Sequence, residues 1–179
     1  VLADRSRFES LAKSLIFLPM AISMVGAGVI FNMLYNVSPN IGLLNAIWTN
    51  LFGRTPVAWT AQASIQPWNN LFLILIVIWL QTGYAMVLFS AAIKGIPAEI
   101  MEAARVDGAT ELQVFFRIMI PYISATIISV TTTIVIFTLK IFDVVQVMTG
   151  GQFGTQVIAT QFYREYFTAQ NSGYASAIA

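Results

Sequence analysis

Along this chain the apolar positions fall into long continuous runs, not into the period-two alternation of strands or the narrow stripes of soluble helices. Residues 14–34, SLIFLPMAISMVGAGVIFNML, match the roughly 20 residues a helix needs to cross about 30 Å of hydrocarbon. Residues 69–93 predict a second span and residues 121–139, PYISATIISVTTTIVIFTL, a third; a further one is expected to start at about 173. The fold class this implies is all-α, a polytopic helical membrane protein. Pro19 is expected to kink the first span near its start. Gly26 and Gly28 are read as packing positions for a neighbouring helix.

Polar, punctuated segments separate the runs. Residues 35–67 carry NVSPN, FGRTP and TAQASIQP, which is turn chemistry, and read as an extramembrane excursion with amphipathic pieces. Trp48, Trp59 and Trp68 suit an interfacial aromatic belt, and a tryptophan cluster also suits stacking on a sugar ring. Residues 140–172 hold MTGGQFGTQ, whose glycines imply a tight backbone, and the amphipathic YREYF at 163–167. Between the second and third spans lies an island of charge, residues 94–120, with Lys94, Glu99, Glu102, Arg105, Asp107, Glu111 and Arg117 in or beside it. Each charge costs about 2.5–3.5 kcal/mol at a bilayer centre, so this segment is a loop in water.

The island has its own predicted structure. Pro97 fits a first helical turn and Glu99 the positive end of the helix dipole. Ile96, Ile100, Ala103 and Ala104 make a narrow apolar face, Asp107 continues the spacing, and Glu102 and Arg105 are placed as an i,i+3 ion pair. Gly108 sits where a left-handed residue ends a helix. Thr110 and Gln113 form a capping box for a second helix, with Leu112, Phe115, Phe116 and Met119 as its apolar face. The loop therefore reads as helix, glycine bend, helix, then Pro121 entering the next span. The small Ala103 and Ala104 suit insertion into a groove of a partner.

Composition narrows the function classes. Only 9% of residues are charged, against about 25% in soluble domains, and mean hydropathy is +0.76. The net charge of +1 suggests no nucleic-acid partner. The chain has no cysteine and no histidine, which removes thiol chemistry, disulfides and the commonest general base and metal ligand. No catalytic or metal site is expected, and a membrane enzyme is the weakest class. A secondary transporter would want a carboxylate inside a span, and none lies there. Arg5, Arg7, Lys13, Lys94, Arg105 and Arg117 outnumber Arg54, Lys140 and Arg164, so the N-terminal flank and the island are expected on the cytoplasmic side. The chain opens at Val1 and ends in SGYASAIA, which reads as an internal piece of a longer protein. Gln81, Thr82 and Tyr84 place polar groups inside the second span, either as interhelical hydrogen bonds or as the lining of a polar route. The consecutive Thr131, Thr132 and Thr133 point to different faces of a helix and read as hydroxyls bonded back to its backbone.

Glu102-Ala103-Ala104, three residues, Gly108, nine residues, Ile118, one residue, Ile120-Pro121 resembles the EAA motif of ABC importer permeases, EAA-x3-G-x9-I-x-L-P, departing only at Ile120. Six fixed residues (Glu, Ala, Ala, Gly, Ile and Pro) match at a given start on the order of once in ten million at average usage. Phe17-Leu18-Pro19, IWLQTGYAM (78–86) and FDVVQVMTGG (142–151) are similar to other stretches of the carbohydrate-uptake, maltose-type members, so the resemblance covers essentially the whole chain. It implies a type I importer permease core in the cytoplasmic (inner) membrane of a bacterium or archaeon. It implies two cytoplasmic ATPase subunits docking on the loops, a second permease subunit and an extracytoplasmic solute-binding protein. ATP would be bound by the ATPase partner, since this chain has no phosphate-cradling loop and no cofactor of its own. Glu102, Ala103, Ala104, Asp107, Gly108 and Pro121 are then the coupling residues, with Glu102 the charged contact and Gly108 the bend. Leu80, Gln81, Tyr84, Phe137 and Thr138 match pathway-lining positions, while Gln81 and Thr138 differ in type from the maltose-type residues. A sugar or oligosaccharide is the expected solute; an amino acid, peptide or polyol is the alternative.

Overall fold

A computed structural model describes residues 9–61 and 68–179. The predicted cytoplasmic flank at Asp4, Arg5 and Arg7 and the QASIQP stretch lie outside the described residues. The described residues are helical: α1 (Glu9–Phe17) with a 3-10 turn (Leu18–Ala21), α2 (Met24–Leu34), α3 (Leu43–Phe52), α4 (Trp68–Lys94), α5 (Ala98–Val106) and α6 (Glu111–Val114). A π turn (Phe115–Met119) then leads into α7 (Ile120–Tyr122) and α8 (Ser124–Leu139). α9 (Asp143–Met148), α10 (Ile158–Tyr163), a second π turn (Arg164–Thr168) and α11 (Ser172–Ile178) complete the chain.

α4 has 27 residues, about 40 Å of helix, and is long and apolar enough to cross a membrane unaided. The other two expected spans are broken. Residues 14–34 do not form one helix: Pro19 lies in the 3-10 turn, and Ser23 starts α2 afresh by accepting the Gly26 N–H at 3.0 Å. The third expected span does not begin at Pro121. Helix runs from Glu111 through Tyr122, breaks at Ile123 and turns by 69° into α8. Proline has no N–H to offer the Arg117 carbonyl, and the turn before it is widened, with the Ile120 N–H reaching back to the Phe115 carbonyl. Each bent pair is long and apolar enough to count as one further span.

The chain divides into two compact units. One joins the described residues up to Ala21 with Gln81–Ile136. Its close contact is at Gly83, where a Cβ would lie 2.9 Å from the Ile16 carbonyl oxygen and 3.0 Å from the Phe17 Cα. Only hydrogen lets α1 press its backbone onto α4 there. Lys13 donates from Nζ to Ser90 Oγ at 2.8 Å along the same seam. In α8, the Thr133 hydroxyl donates back to the Ser129 carbonyl at 2.9 Å, the helix-internal bond expected of that residue.

The second unit joins Ile22–Leu80 with Phe137–Ala179. Its core is Ala27, Leu73, Ile76, Leu80, Ile141, Val144 and Val145. A Cβ on Gly28 would stand 3.0 Å from the Val147 Cβ, so this glycine does admit a neighbouring helix, α9; Gly26 faces Ser23 and Ile22 of its own segment instead. Aromatic rings run from Trp48 through Trp59, Phe72, Tyr35 and Phe31 to Trp79, tilted at Trp59–Phe72 and edge to face at the other pairs, with neighbouring centroids 5.2–5.5 Å apart. The glycine-rich turn is as tight as its composition predicts. Gly150, Gly151 and Gly154 take φ of 61°, 77° and 74°, and the side chains of Asn69 and Asn70 at the head of α4 donate to the carbonyls of Phe153 and Gly154 at 3.0 and 3.3 Å.

Candidate functional site: the 94–120 loop

The loop is two short helices locked at a fixed bend. α5 begins one residue later than proline chemistry suggests, with Pro97 as its N-cap (φ −56°, ψ 134°) and Glu99 in its first turn. It ends in a complete Schellman arrangement. Gly108, at φ +82°, donates to the Arg105 carbonyl at 3.1 Å, and Ala109 donates to the Ala104 carbonyl at 3.0 Å. Two residues on, the predicted capping box is present. The Gln113 N–H reaches Thr110 Oγ1 at 3.3 Å and the Thr110 N–H reaches Gln113 Oε1 at 2.8 Å.

The expected Glu102–Arg105 ion pair is not formed. Arg105 Nε instead donates across the bend to Glu111 Oε1 at 2.9 Å. The reversal at Gly108 brings the first turn of α6 back beside the last turn of α5, a geometry that spacing along one helix cannot anticipate. Glu111's hydrogen bond, then its charge, push the Arg105 guanidinium above its usual value, and Glu102 adds only a weaker field.

The apolar faces also differ from the expected ones. Ala104 is buried, as are Ile96 and Val114, while Ala103 and Ile100 are exposed. Ala103 and Ala104 therefore do not share one smooth outer face; Ala104 seats the helix in its own unit. In the second helix Val114 supplies the fully buried contact, and Leu112 and Phe116 point outward. Val106 is 87% and Leu112 72% exposed, one on either side of the bend. Val106 stands two residues, about 200° of helix, from the buried Ala104, so its outward direction could have been read from helical phase. Glu102, Asp107 and Gly108 are exposed too. Beneath the loop, in the same unit, an apolar cleft of about 430 Å³ is lined by Phe115, Met119 and Ile120 from the exit, Phe89 and Ile93 from α4, and Lys13.

The residues matched to a pathway fall differently. Leu80 is 5% exposed and belongs to the core of its unit. Phe137, Gln81 and Tyr84 are half-buried and Thr138 is exposed; none of the five lines this cleft.

The sequence profile of the binding-protein-dependent transport system inner membrane component family matches residues 2–179. The chain belongs to that family. Within it, this permease is 54% identical over 183 residues to the osmoprotective compounds uptake permease protein GgtC of Synechocystis sp., covering 100% of this chain and 64% of that one. It is 51% identical over 166 residues to the alpha-glucoside transport system permease protein AglF of Rhizobium meliloti, covering 90% of this chain and 48% of the relative. The permease thus spans between about half and two thirds of these curated relatives. A bacterial alginate ABC transporter, crystallised with an alginate pentasaccharide-bound periplasmic protein, matches with a TM-score of 0.78 at 24% identity, over 99% of this chain and 62% of that one. That likeness carries the fold alone, the helical fold of a type I ABC permease. Family membership favours neither the secondary-transporter nor the membrane-enzyme reading.

Proposed function

We propose that the permease forms part of the pathway for an uncharged sugar or oligosaccharide in an ATP-driven importer of a bacterial or archaeal cytoplasmic membrane. The loop receives motion from a separate cytoplasmic ATPase subunit, which holds the ATP. A second permease subunit and an extracytoplasmic solute-binding protein complete the assembly. The observation that carries this reading is the bend itself, a doubly capped reversal that presents Val106, Leu112, Glu102 and Asp107 outward on a stiff frame. Pro121, at the loop's exit, passes the motion on. A docking element needs that stiffness, because a yielding loop would absorb the partner's movement instead of transmitting it. Leu80, Gln81, Tyr84, Phe137 and Thr138 are proposed for the pathway, whose span residues carry hydroxyl, amide and aromatic groups but no charge.

A second reading of the solute has its own support. The Synechocystis relative is described by osmoprotective compounds, so a small polyol-like solute fits the same uncharged chemistry. Uptake of labelled α-glucosides, polyols and amino acids by cells lacking and regaining this subunit separates these. Docking is tested by a cysteine at Val106, which is expected to crosslink to a co-expressed ATPase subunit. The buried Ala104 is a poorer probe. Failure to crosslink from Ala103, Val106 and Leu112 alike overturns the docking reading. Glu102→Lys is expected to uncouple ATP hydrolysis from uptake, and wild-type uptake in that variant removes Glu102 from the contact.

A further inference from the structure

The helix α3, in the excursion between α2 and α4, has an outer face that the coupling mechanism does not use. Leu43, Ile47 and Leu51 follow one another at i, i+4 and i+8 and are all exposed, Leu51 to 75%. The spacing puts them in one stripe about 80° wide. No residue from Ser14 to Gly53 is charged, so nothing on the helix draws that stripe into water.

The opposite face is fixed. Asn45 is fully buried and its amide makes three bonds of 2.8 Å, donating to the carbonyls of Asn36 and Val57 and accepting from the Val57 N–H. Asn36 lies two residues beyond the end of α2. The helix therefore cannot roll its stripe inward, and it cannot lift away from the end of α2. That end is itself apolar on the outside, with Val29, Ile30 and Met33 exposed. Both helices thus leave apolar side chains exposed.

The first charge after the uncharged stretch is Arg54. It is exposed and follows directly on Gly53, the left-handed residue that ends α3. A guanidinium at that place complements phosphate, which every phospholipid headgroup offers.

We propose that α3 lies flat in the membrane–water interface, with Leu43, Ile47 and Leu51 among the acyl chains and Arg54 on the lipid phosphates. Such helices sit about 5–10 Å into the headgroup and acyl boundary. The occupant of this face is thus the lipid leaflet, and α3 fixes the depth of the excursion against the bilayer.

The test places a nitroxide, one at a time, on cysteines at positions 43, 47, 51 and 54 of the full-length permease, assembled with its partners in phosphatidylethanolamine–phosphatidylglycerol liposomes. These 179 residues contain no cysteine, and any elsewhere in the polypeptide are changed to serine. Collision rates with dissolved oxygen and with a water-soluble nickel chelate are measured by power saturation. Oxygen is expected to exceed the chelate several-fold at 43, 47 and 51, and the order to reverse at 54. Chelate dominance at all three stripe positions overturns the proposal in favour of a water-facing helix. Exclusion of both reagents overturns it in favour of burial against another protein chain. Position 51 is the most exposed and disturbs the least packing, so its reading stands if labels at 43 or 47 perturb the fold.

Discussion

Gly108 sets the angle of the loop, and the cost of replacing it follows from backbone geometry alone. Its φ is +82°, and a Cβ built there meets nothing within 4 Å. Steric crowding by neighbours is therefore absent, and the whole penalty is the left-handed conformation, about 1–2 kcal/mol for an L-residue. Gly108→Ala should pay that amount, and Gly108→Asn less, because a short polar side chain tolerates this region. The amides of Gly108 and Ala109 report the change directly, since their bonds to the Arg105 and Ala104 carbonyls exist only while the bend is formed. If local opening governs exchange, 1–2 kcal/mol means hydrogen exchange at these amides about 5–30 times faster in the alanine variant. The order of exchange rates should be Gly, then Asn, then Ala. Equal rates for Gly and Ala, or a slower rate for Ala than for Asn, would refute the assignment of the cost to the left-handed backbone.

Further outcomes follow from contacts elsewhere. Gly83→Leu puts a side chain against the backbone of Ile16 and Phe17, which cannot swing aside, so the fraction of permease recovered as monodisperse protein should collapse, whereas Gly173→Ala, with open space around the Cβ, should leave it unchanged. Asn45→Ala strands the Asn36 and Val57 carbonyls and the Val57 N–H; at about 1–3 kcal/mol for each group that stays buried, limited proteolysis between residues 53 and 61 should quicken by an order of magnitude or more.

What the sequence made legible in this loop was its local chemistry. A glycine after a helical run, a threonine three residues before a glutamine and a proline ahead of an acidic turn each act within one turn of helix. They reappear as the Schellman bonds, the capping box and the N-cap. What the sequence hid depends on which segments meet. The Arg105–Glu111 pair exists because Gly108 reverses the chain, and pairing Arg105 with Glu102 assumed a single straight helix. The burial of Ala104 depends on which side of α5 rests on its unit; with that side known, the exposure of Val106 follows from helical phase. The need for glycine at position 83 is set by α1, far away in sequence. The break at Ile22–Ser23 was half visible, since Ser23 has the chemistry of an N-cap, but uninterrupted hydropathy across 14–34 outweighed one hydroxyl. The candidate pathway residues rest on resemblance, and burial separates Leu80, a core residue, from the more open Thr138.

The way the loop is attached sharpens what it can transmit. On its entry side α4 stops at Lys94, and Gly95–Pro97 make a short connection in which the Gly95 N–H still reaches the Ala91 and Ala92 carbonyls and the Ile96 N–H the Ile93 carbonyl. On its exit side helix continues without interruption from Glu111 to Tyr122, about 18 Å of rod, before the 69° turn at Ile123. If the loop takes the proposed coupling role, a push on it would not pass straight along α8, as a proline-capped span starting at position 121 would require. In that proposed role, such a push would swing the Glu111–Tyr122 rod about the turn at Ile123, whose side chain is buried. The π turn at Phe115–Met119 is the irregular part of that rod, because its backbone bonds follow a rarer register. That turn lies next to the apolar cleft that Phe115 and Met119 line.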